Sequence, residues 1–371
     1  MVFRYDKDAL RRPGARALSA SLPLREAEYT QAKAMPFFAG LLPDGELKRR
    51  IADFLHVSET STLRLLEALG GECAGTVSLI PDAADEERGM AEEARPSYEE
   101  ISPEALEAMI RDADRRPLLA PSGDARLSLA GAQEKLPLLL KDRRWYLPRG
   151  GAPSSHILKP GSPLFPEIVQ LGRPVLVVRR YDRRSSPDGQ IERIHQEDFC
   201  QALGIMPDMK YQADGGPGFA DIAKLVRGLC SNPLDDLGSF IDIAIFNLLI
   251  GNCDAHGKNF SLRYEGPRIS FSPFYDLVST TAWPELSTKL SMRFGKEYRL
   301  ENLSSDDLGS FAVDIEVKPE LVRDRAISLA ISGALHWNAL RELPELECAQ
   351  GFLDRMQGGW DGRAARLGLK G

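Results

Sequence analysis

Residues 240–260 read FIDIAIFNLLIGNCDAHGKNF, a long apolar run that ends at Gly251 and is followed by a short polar loop. The apolar residues of this region recur at helical spacing over 236–250 and therefore predict a buried helix, and glycine commonly follows the last residue of a helix. Phe260-Ser261-Leu262 predicts the start of a strand. The sequence thus predicts a polar loop, residues 254–259, between a core helix and a strand.

This loop places Asp254 five residues before Asn259. The spacing is that of the catalytic loop in protein kinases, in which the aspartate accepts the substrate hydroxyl proton and the asparagine holds magnesium. By itself the spacing is a weak signal, because aspartate, asparagine and glycine are common in turns. The loop is therefore a candidate for phosphate transfer that needs further residues in support.

Three further features supply that support. Asp276, in PFYDL (273–277), follows a predicted hairpin and stands where a second oxygen ligand for magnesium is needed, although alone it would be predicted as a helix cap or turn acceptor. Lys159, in HILK (156–159), lies on a predicted strand like the lysine that neutralises nucleotide phosphates, although alone it would be an exposed edge lysine.

The third feature is residues 128–135, SLAGAQEK, whose small side chains allow backbone N–H groups to approach phosphates. The segment matches neither G-x-x-x-x-G-K-[ST] nor G-x-G-x-x-G. The order along the chain is small-residue loop, strand lysine, apolar hinge strand at 177–181, aspartate loop and metal aspartate. That is the order of a two-lobed kinase, and the combination is more specific than any of its members.

Composition excludes several other classes of protein. The 371 residues carry a net charge of −7, so no global basic field exists and any contact with nucleic acid must come from a local patch or a partner. The longest apolar stretch, 241–250, is too short to cross a bilayer, and the N-terminus has no apolar signal region. Five cysteines lie far apart without metal or disulfide spacing. These features predict a cytoplasmic protein with no membrane association.

Pattern analysis divides the chain into four segments and predicts an α+β fold. Residues 1–81 form a small mixed unit that ends in a strand at 76–81, and residues 82–125 form an acidic linker, extending to Glu100, and a helix that starts at Ser102. Residues 126–182 are rich in strands, and residues 183–371 are mainly helical. This is a mixed N-terminal lobe followed by a helical C-terminal lobe, as in a bilobal protein-kinase-like fold.

Motifs along nearly the whole chain resemble the HipA-like serine/threonine-protein kinase toxins of type II toxin–antitoxin systems. They are SLPL (21–24), GLLPD (40–44), SLAGAQEK (128–135), HILK (156–159), RRYDRR (179–184), QEDFCQ (196–201), DGGPG (214–218), DAHGKN (254–259) and PFYDL (273–277). The first two resemble the N-terminal subdomain of the family, and the others resemble its kinase core.

The resemblance implies a kinase that uses ATP and Mg²⁺ to phosphorylate a protein serine or threonine, commonly on an aminoacyl-tRNA synthetase. It also implies a HipB-like helix-turn-helix antitoxin as partner, with operator DNA contacted mainly through that antitoxin. Asp254 would be the catalytic base, Asn259 and Asp276 the magnesium ligands, and Ser128 an autophosphorylation site. The implied ATP-binding residues are Ala130, Gly131, Ala132, Gln133, Glu134, Lys135, Lys159, Arg179, Arg180, Tyr181, His256, Gly257, Lys258, Asn259, Tyr275 and Asp276.

The sequence departs from the family pattern after Lys159. Relatives carry a helix and another strand there, but residues 160–173 contain three prolines and two glycines and predict that neither fits. Only Glu167 remains to approach Lys159. Either the sequence omits segments here or the protein is naturally shortened, and in the second case we expect weakened nucleotide binding and weak or absent kinase activity. The start, residues 2–5, also resembles the second strand of a hairpin whose first strand is absent.

Two alternatives follow from these features. One is a catalytically silent pseudokinase that binds the antitoxin and operator DNA, which the short 160–173 segment favours and the intact Asp254, Asn259 and Asp276 set opposes. The other is a small-molecule phosphotransferase with similar loop chemistry.

Overall fold

The computed structural model describes residues 1–79, 96–121, 125–161, 168–171 and 173–369. The chain forms two compact units, Met1–Glu197 with Met206–Asp208 and Asp198–Ile205 with Met209–Gly371. The boundary lies beyond the predicted one at 182, because Arg183 and Arg193 are bonded to Glu72 of the first unit. Helices and sheets are both present, as the α+β prediction requires.

The first unit begins with helices. They are α1 (Lys7–Arg11), α2 (Gln31–Gly40), α3 (Gly45–Phe54), α4 (Thr62–Leu69) and α5 (Pro103–Arg111). The Ser102 side chain accepts a hydrogen bond from the Ala105 N–H at 3.2 Å, which confirms the predicted start of α5. The inward faces of α2 to α5 bury Phe37, Ile51 and Leu65 in one apolar core.

Six antiparallel strands form the sheet of this unit, in the order β1-β3-β2-β4-β6-β5. They are β1 (Ser97–Ile101), β2 (Leu136–Lys141), β3 (Arg144–Arg149), β4 (His156–Pro160), β5 (Ile168–Leu171) and β6 (Arg173–Arg179). The turn between β2 and β3 places Asp142 and Arg143 at φ values of 49° and 61°. Both central residues of a type I′ hairpin turn need positive φ, so this charged pair connects the strands at a local cost in strain.

Three predictions about this unit are wrong. The predicted linker extends to Glu100, but its last residues form β1, which pairs with β3; residues 82–95 lie outside the described part. Residues 76–79 form no strand, because the Leu79 N–H donates to the Gly70 carbonyl at 2.8 Å and the segment folds back on the end of α4. A strand does fit within 160–173, since β5 pairs with β6, whereas Glu167 lies outside the described residues.

Three short strands lead to the second unit: β7 (Arg183–Ser185), β8 (Ile191–Arg193) and β9 (His195–Asp198), which spans the boundary. The second unit contains α6 (Phe199–Leu203), α7 (Phe219–Leu229), α8 (Pro233–Ile250), β10 (Ser261–Glu265), β11 (Arg268–Phe271), β12 (Lys289–Phe294), β13 (Glu297–Arg299), α9 (Ser305–Asp314), α10 (Pro319–Arg341) and α11 (Gln350–Arg366). As predicted, α8 is the core helix, and it packs against α7, α10 and α11.

An aromatic cluster fixes one end of α8. Phe219 of α7 packs edge-on against Phe294 and Phe311, with ring centroids 4.9 and 5.0 Å apart, and also contacts Phe240 of α8. Such pairs add to the stability that burial of the rings already provides. Within the described residues, no helix is both long enough and apolar enough to cross a membrane.

Candidate active site

The polar loop of the second unit starts where α8 ends. Gly251 adopts a left-handed conformation with φ of 74°, and its N–H donates to the Asn247 and Leu248 carbonyls. A side chain at this position would meet Thr281 and Arg363. Glycine therefore ends the helix and reverses the chain direction, and the loop at 252–259 begins directly after this turn.

Asn252 connects the loop to Asp276. Its Nδ2 donates to Asn247 Oδ1 at 2.9 Å and to the Asp276 carbonyl at 3.1 Å, and its Oδ1 accepts from the Asp254 N–H at 3.1 Å. Asn252 is 3 % exposed, so these bonds are shielded from water. One buried amide thus places the backbones of Asp254 and Asp276 next to each other, as the predicted site requires.

Asn259 and Asp276 meet directly. Asn259 Nδ2 donates to Asp276 Oδ2 at 3.0 Å, while the buried Oδ1 of Asn259 accepts no hydrogen bond from the described part of the chain. Buried polar atoms are nearly always satisfied, so a lone amide oxygen beside a carboxylate needs a further partner. Carboxylate and amide oxygens are the ligands that magnesium prefers, and this pair fits such an ion.

Asp276 has an unusual backbone. It lies beyond the end of β11 at Phe271, and its φ is 59°. Aspartate tolerates the left-handed region better than most residues, although at some cost in strain. The conformation turns the carboxylate toward Asn259.

The other predicted loop residues mainly brace the turn. The Tyr275 hydroxyl donates to the Lys258 carbonyl at 2.7 Å and lies 2.6 Å from Ser261 Oγ. His256 and Lys258 are buried. A Cβ on Gly257 would lie 2.6 Å from Pro217 Cγ, so this glycine allows the loop to contact the segment at 209–218.

That segment carries Tyr211, which the sequence analysis missed. Its hydroxyl donates to Asp254 Oδ1 at 2.9 Å, and the neighbouring Lys210 carbonyl accepts from the Gly257 N–H at 3.2 Å. The only sequence signal near Tyr211 was the glycine-rich motif at 214–218. A Cβ on Gly216 would lie 2.7 Å from the Tyr211 carbonyl, so glycine there allows the chain to turn back against the tyrosine.

In the first unit, residues 126–135, which include the small-residue segment at 128–135, contact residues near the N-terminus. Ser128 is completely buried, its hydroxyl donates to the Leu41 carbonyl at 2.8 Å, and its N–H donates to the Glu72 carbonyl at 2.9 Å. Gly131 pairs with Pro43, and the Asp44 N–H donates to the Gly131 carbonyl at 3.2 Å. We call the supporting residues 41–44, 50 and 72 the N-terminal platform.

Side chains complete this attachment. Glu134 forms a 2.8 Å ion pair with Arg50 and accepts from the Leu118 N–H at 3.0 Å. Lys135 is 5 % exposed and donates to the Ala130 carbonyl, which closes the loop on itself. The described structure therefore holds residues 130–135 in one compact turn, with Gly131 at φ of 110°.

Lys159 lies on β4, near the middle of the sheet. It stands opposite Leu176 of β6, and the preceding Leu158 stands opposite Leu136 of β2. The backbone of Lys159 is therefore paired with β6 and directly follows the last residue of β4 that pairs with β2.

The predicted hinge residues 179–181 begin at the last residue of β6, and their side chains differ in environment. Arg179 is exposed, and the Tyr181 hydroxyl donates to Gln196 Oε1. The guanidinium of Arg180 is buried, with Nη1 3.0 Å from Glu72 Oε1 and Nη2 2.7 Å from Asp182 Oδ2. The Arg180 side chain thus stabilises the interior of the unit.

Glu72 is the centre of this ion network. Its carboxylate accepts from Arg180, Arg183 and Arg193, and from the N–H and hydroxyl of Ser154. Burial alone would raise the pKa of Glu72, but the three arginines outweigh burial and hold the pKa below its ordinary value. Asp182 is also buried, yet Arg180 and Arg183 lower its pKa to about 2.

Comparison with known proteins gives a consistent result. The HipA N-terminal domain family matches residues 1–80, and the HipA-like C-terminal domain family matches residues 165–331. The chain is 41% identical to the putative kinase Y4mE of Sinorhizobium fredii over 90% of this chain and 84% of that protein. It is 29% identical to the serine/threonine-protein kinase toxin HipA of Shewanella oneidensis, over 79% of this chain and 74% of the toxin.

The fold also matches a solved structure. A chain of the Shewanella oneidensis complex of HipA, HipB and operator DNA superposes with a TM-score of 0.82 at 26% identity, over 99% of this chain and 92% of that chain. The α+β architecture described above is therefore that of HipA.

Proposed function

Because the chain belongs to the HipA-like kinase family, we propose that it is an ATP-dependent serine/threonine protein kinase that acts as the toxin of a toxin–antitoxin pair. The observation that carries this proposal is the cluster of Asp254, Asn259 and Asp276 in the second unit. Asn252 ties Asp254 to Asp276, and Asn259 presents a buried oxygen beside the Asp276 carboxylate. These are the side-chain types that phosphate transfer needs.

In this mechanism Asp254 accepts the proton of the substrate hydroxyl as that oxygen attacks the γ-phosphorus of ATP, and the bond from that phosphorus to the β–γ bridging oxygen breaks to release ADP. Asn259 Oδ1 and the Asp276 carboxylate would hold magnesium, which supplies neutralisation of charge on the terminal phosphates when it is bound. The protein forms no bond to phosphorus itself. Its contribution is to orient the groups and to provide electrostatic stabilisation.

We assign nucleotide binding to Lys159, to residues 130–135 and 179–181, and to His256, Gly257, Lys258 and Tyr275. Lys159 would neutralise phosphate charge, and the backbone of 130–135 would face phosphate oxygens. The Arg180 guanidinium is paired with Glu72 and Asp182. At the hinge, Arg180 would therefore contact the nucleotide only through its main chain. Weak kinase activity, predicted from the short 160–173 segment, stays a prediction. Against it, β4 is paired with β2 and β6, which supports an ordered backbone at Lys159.

Autophosphorylation on Ser128 is part of the proposal and has a structural requirement. The Ser128 hydroxyl is buried and donates to Leu41, so it receives phosphate only after the segment at 126–135 has left the N-terminal platform. The new phosphate would carry a charge of about −1.5 to −2, which opposes return to that buried position. Phosphorylated chains would therefore keep the segment displaced.

The partners we propose are a protein substrate, an aminoacyl-tRNA synthetase by family analogy, and a HipB-like helix-turn-helix antitoxin. Operator DNA would be contacted mainly through that antitoxin. Support comes from the solved Shewanella complex, which contains HipA, HipB and operator DNA. Placement in the cytoplasm also stays a prediction. The kinase names of the relatives do not favour the pseudokinase alternative.

Growth of bacteria that express the chain tests this function. We expect the wild type to arrest growth, Asp254→Asn at equal expression to permit growth, and co-expression of a HipB-like helix-turn-helix antitoxin to restore growth of the wild type. Phosphoserine and phosphothreonine comparison of the two cultures identifies a protein target. Growth without arrest would contradict the toxin role, and arrest without any new phosphoprotein would favour the small-molecule phosphotransferase.

The metal site yields a second prediction. Asp276→Asn keeps a residue that tolerates positive φ but removes the charge, so we expect affinity for magnesium-loaded ADP to fall at least about 10-fold, since changes to outer-shell partners alone cost about 10- to 100-fold. Calorimetric titration with and without magnesium measures this. Binding of metal-free ADP should be unchanged, as should both affinities in the control Asp324→Asn, an exposed site on α10. Equal loss with and without magnesium would contradict the assignment.

A further inference from the structure

Tyr211 touches the proposed catalytic base, although no motif marks it. Its hydroxyl lies 2.9 Å from Asp254 Oδ1 and can only be the donor, because an ionised carboxylate only accepts. Asp254 is exposed, so its side chain needs a partner to hold one rotamer. Tyr211 is such a partner within the same unit.

The tyrosine is itself held firmly. Its carbonyl accepts from the N–H groups of Asp214 and Gly216 at 3.0 and 2.9 Å, and its ring packs edge-on against His256 with centroids 5.4 Å apart. A phenol placed by backbone bonds and ring packing loses little conformational freedom when it donates a hydrogen bond.

A pocket opens beside this pair. It has a volume of about 370 Å³, and its lining includes Tyr211, Asp214, Asp254, Ser287 and Lys289. The pocket lies wholly in the second unit and carries groups of both charge signs. A polypeptide side chain with a hydroxyl would fit its size and polarity.

We propose that Tyr211 is a positioning residue, which holds the Asp254 carboxylate toward this pocket so that it meets the hydroxyl of a protein substrate. The inference rests on the proposed function, in which Asp254 accepts that proton. A hydrogen bond donated to the charged carboxylate favours its ionised form as well as its orientation. Tyr211 therefore acts through Asp254 and does not itself exchange a proton with the substrate.

Tyr211→Phe tests the inference, because it keeps the ring and removes the donor. We expect kcat for phosphate transfer to fall about 10-fold, the factor for one such hydrogen bond, with KM for ATP unchanged. The acid limb of the pH–rate profile should move to higher pH, since the carboxylate loses a group that favours its charged form. Tyr264→Phe, on β10 of the same unit, should match the wild type in both measurements.

Two further measurements separate the possible failures. In the double variant Tyr211→Phe/Asp254→Asn, the rate should equal that of Asp254→Asn alone, and an additional loss would overturn action through Asp254. Carboxyl ¹³C NMR, with the Asp254 signal assigned from Asp254→Asn, should show a higher titration midpoint in Tyr211→Phe, whether or not a substrate is known. An unchanged midpoint refutes the inference while leaving the proposed function intact, whereas a wild type that transfers no phosphate from ATP to protein refutes the function itself.

Discussion

Replacement of Asp254 by asparagine is expected to lower the rate of phosphate transfer from ATP to protein by about 10²- to 10⁴-fold, the usual contribution of a general base. Asparagine has the same shape and still accepts a hydrogen bond from Tyr211, but it cannot take up the proton. Because Asp254 is exposed, the substitution should leave stability unchanged. The measurement is the initial rate of incorporation of γ-labelled phosphate into the proteins of a desalted bacterial lysate.

The control for this prediction is Asp314→Asn, which removes an exposed carboxylate at the end of α9 and should retain the full rate. Affinity for magnesium-loaded ATP should be the same in all three proteins, because the base acts on the acceptor. A rate within a factor of two of the wild type in Asp254→Asn would show that this residue is not the base.

The second large effect is on stability. Glu72→Gln keeps the size of the side chain but removes one of the two carboxylates that Arg180 and Arg183, each 2% exposed, share, and leaves them Asp182. Removing one partner of a buried ion network costs about 3–5 kcal/mol, a large part of the stability of an ordinary domain. Urea denaturation measures the loss, and hydrogen exchange of peptides around 72 and 180 assigns it to the first unit.

Glu192→Gln provides the matched control. Glu192 pairs with Arg184 on the β7–β8 hairpin at 2.8 Å, but the two side chains are 48% and 55% exposed. An exposed pair is worth about 0–1 kcal/mol, so this variant should unfold almost as the wild type does. Similar losses in the two variants would show that burial of the Glu72 network has no special effect.

Acid should diminish the difference between Glu72→Gln and the wild type. The folded-state pKa of Glu72 lies below its ordinary value of 4.5, so its ionisation stabilises the fold above that pH, and this stability is lost as pH falls through the lowered pKa. The variant has no such group to protonate. The gap in unfolding free energy should therefore be complete at neutral pH and shrink below about pH 4.

The polar loop at 254–259 was predictable because its signals are local. The apolar run of α8, the glycine at 251 and the aspartate–asparagine spacing lie within twenty residues of one another. The hairpin of β2 and β3 was predictable for the same reason. Local periodicity also predicted that this part of the chain is mainly helical, although it did not mark α9 or α11.

The rest depends on contacts between distant residues. Tyr211 reaches Asp254 across 43 positions, and Arg193 reaches Glu72 across 121, so no window of sequence shows either pair. Strand β1 was hidden because its residues are charged and exposed, and only its pairing with β3 makes it a strand. The left-handed backbone of Asp276 likewise follows from its tertiary contacts with Asn252 and Asn259.

The attachment of residues 126–135 to the N-terminal platform has a consequence for how such a protein diverges. Ser128 and Leu41 are 87 positions apart, yet they share one hydrogen bond, and Glu134 and Arg50 share an ion pair across 84. A substitution that changes the shape of residues 126–135 must therefore remain compatible with the N-terminal platform that they contact. We infer that the two stretches are inherited as a matched pair, so exchanging one of them between related chains would disturb the other.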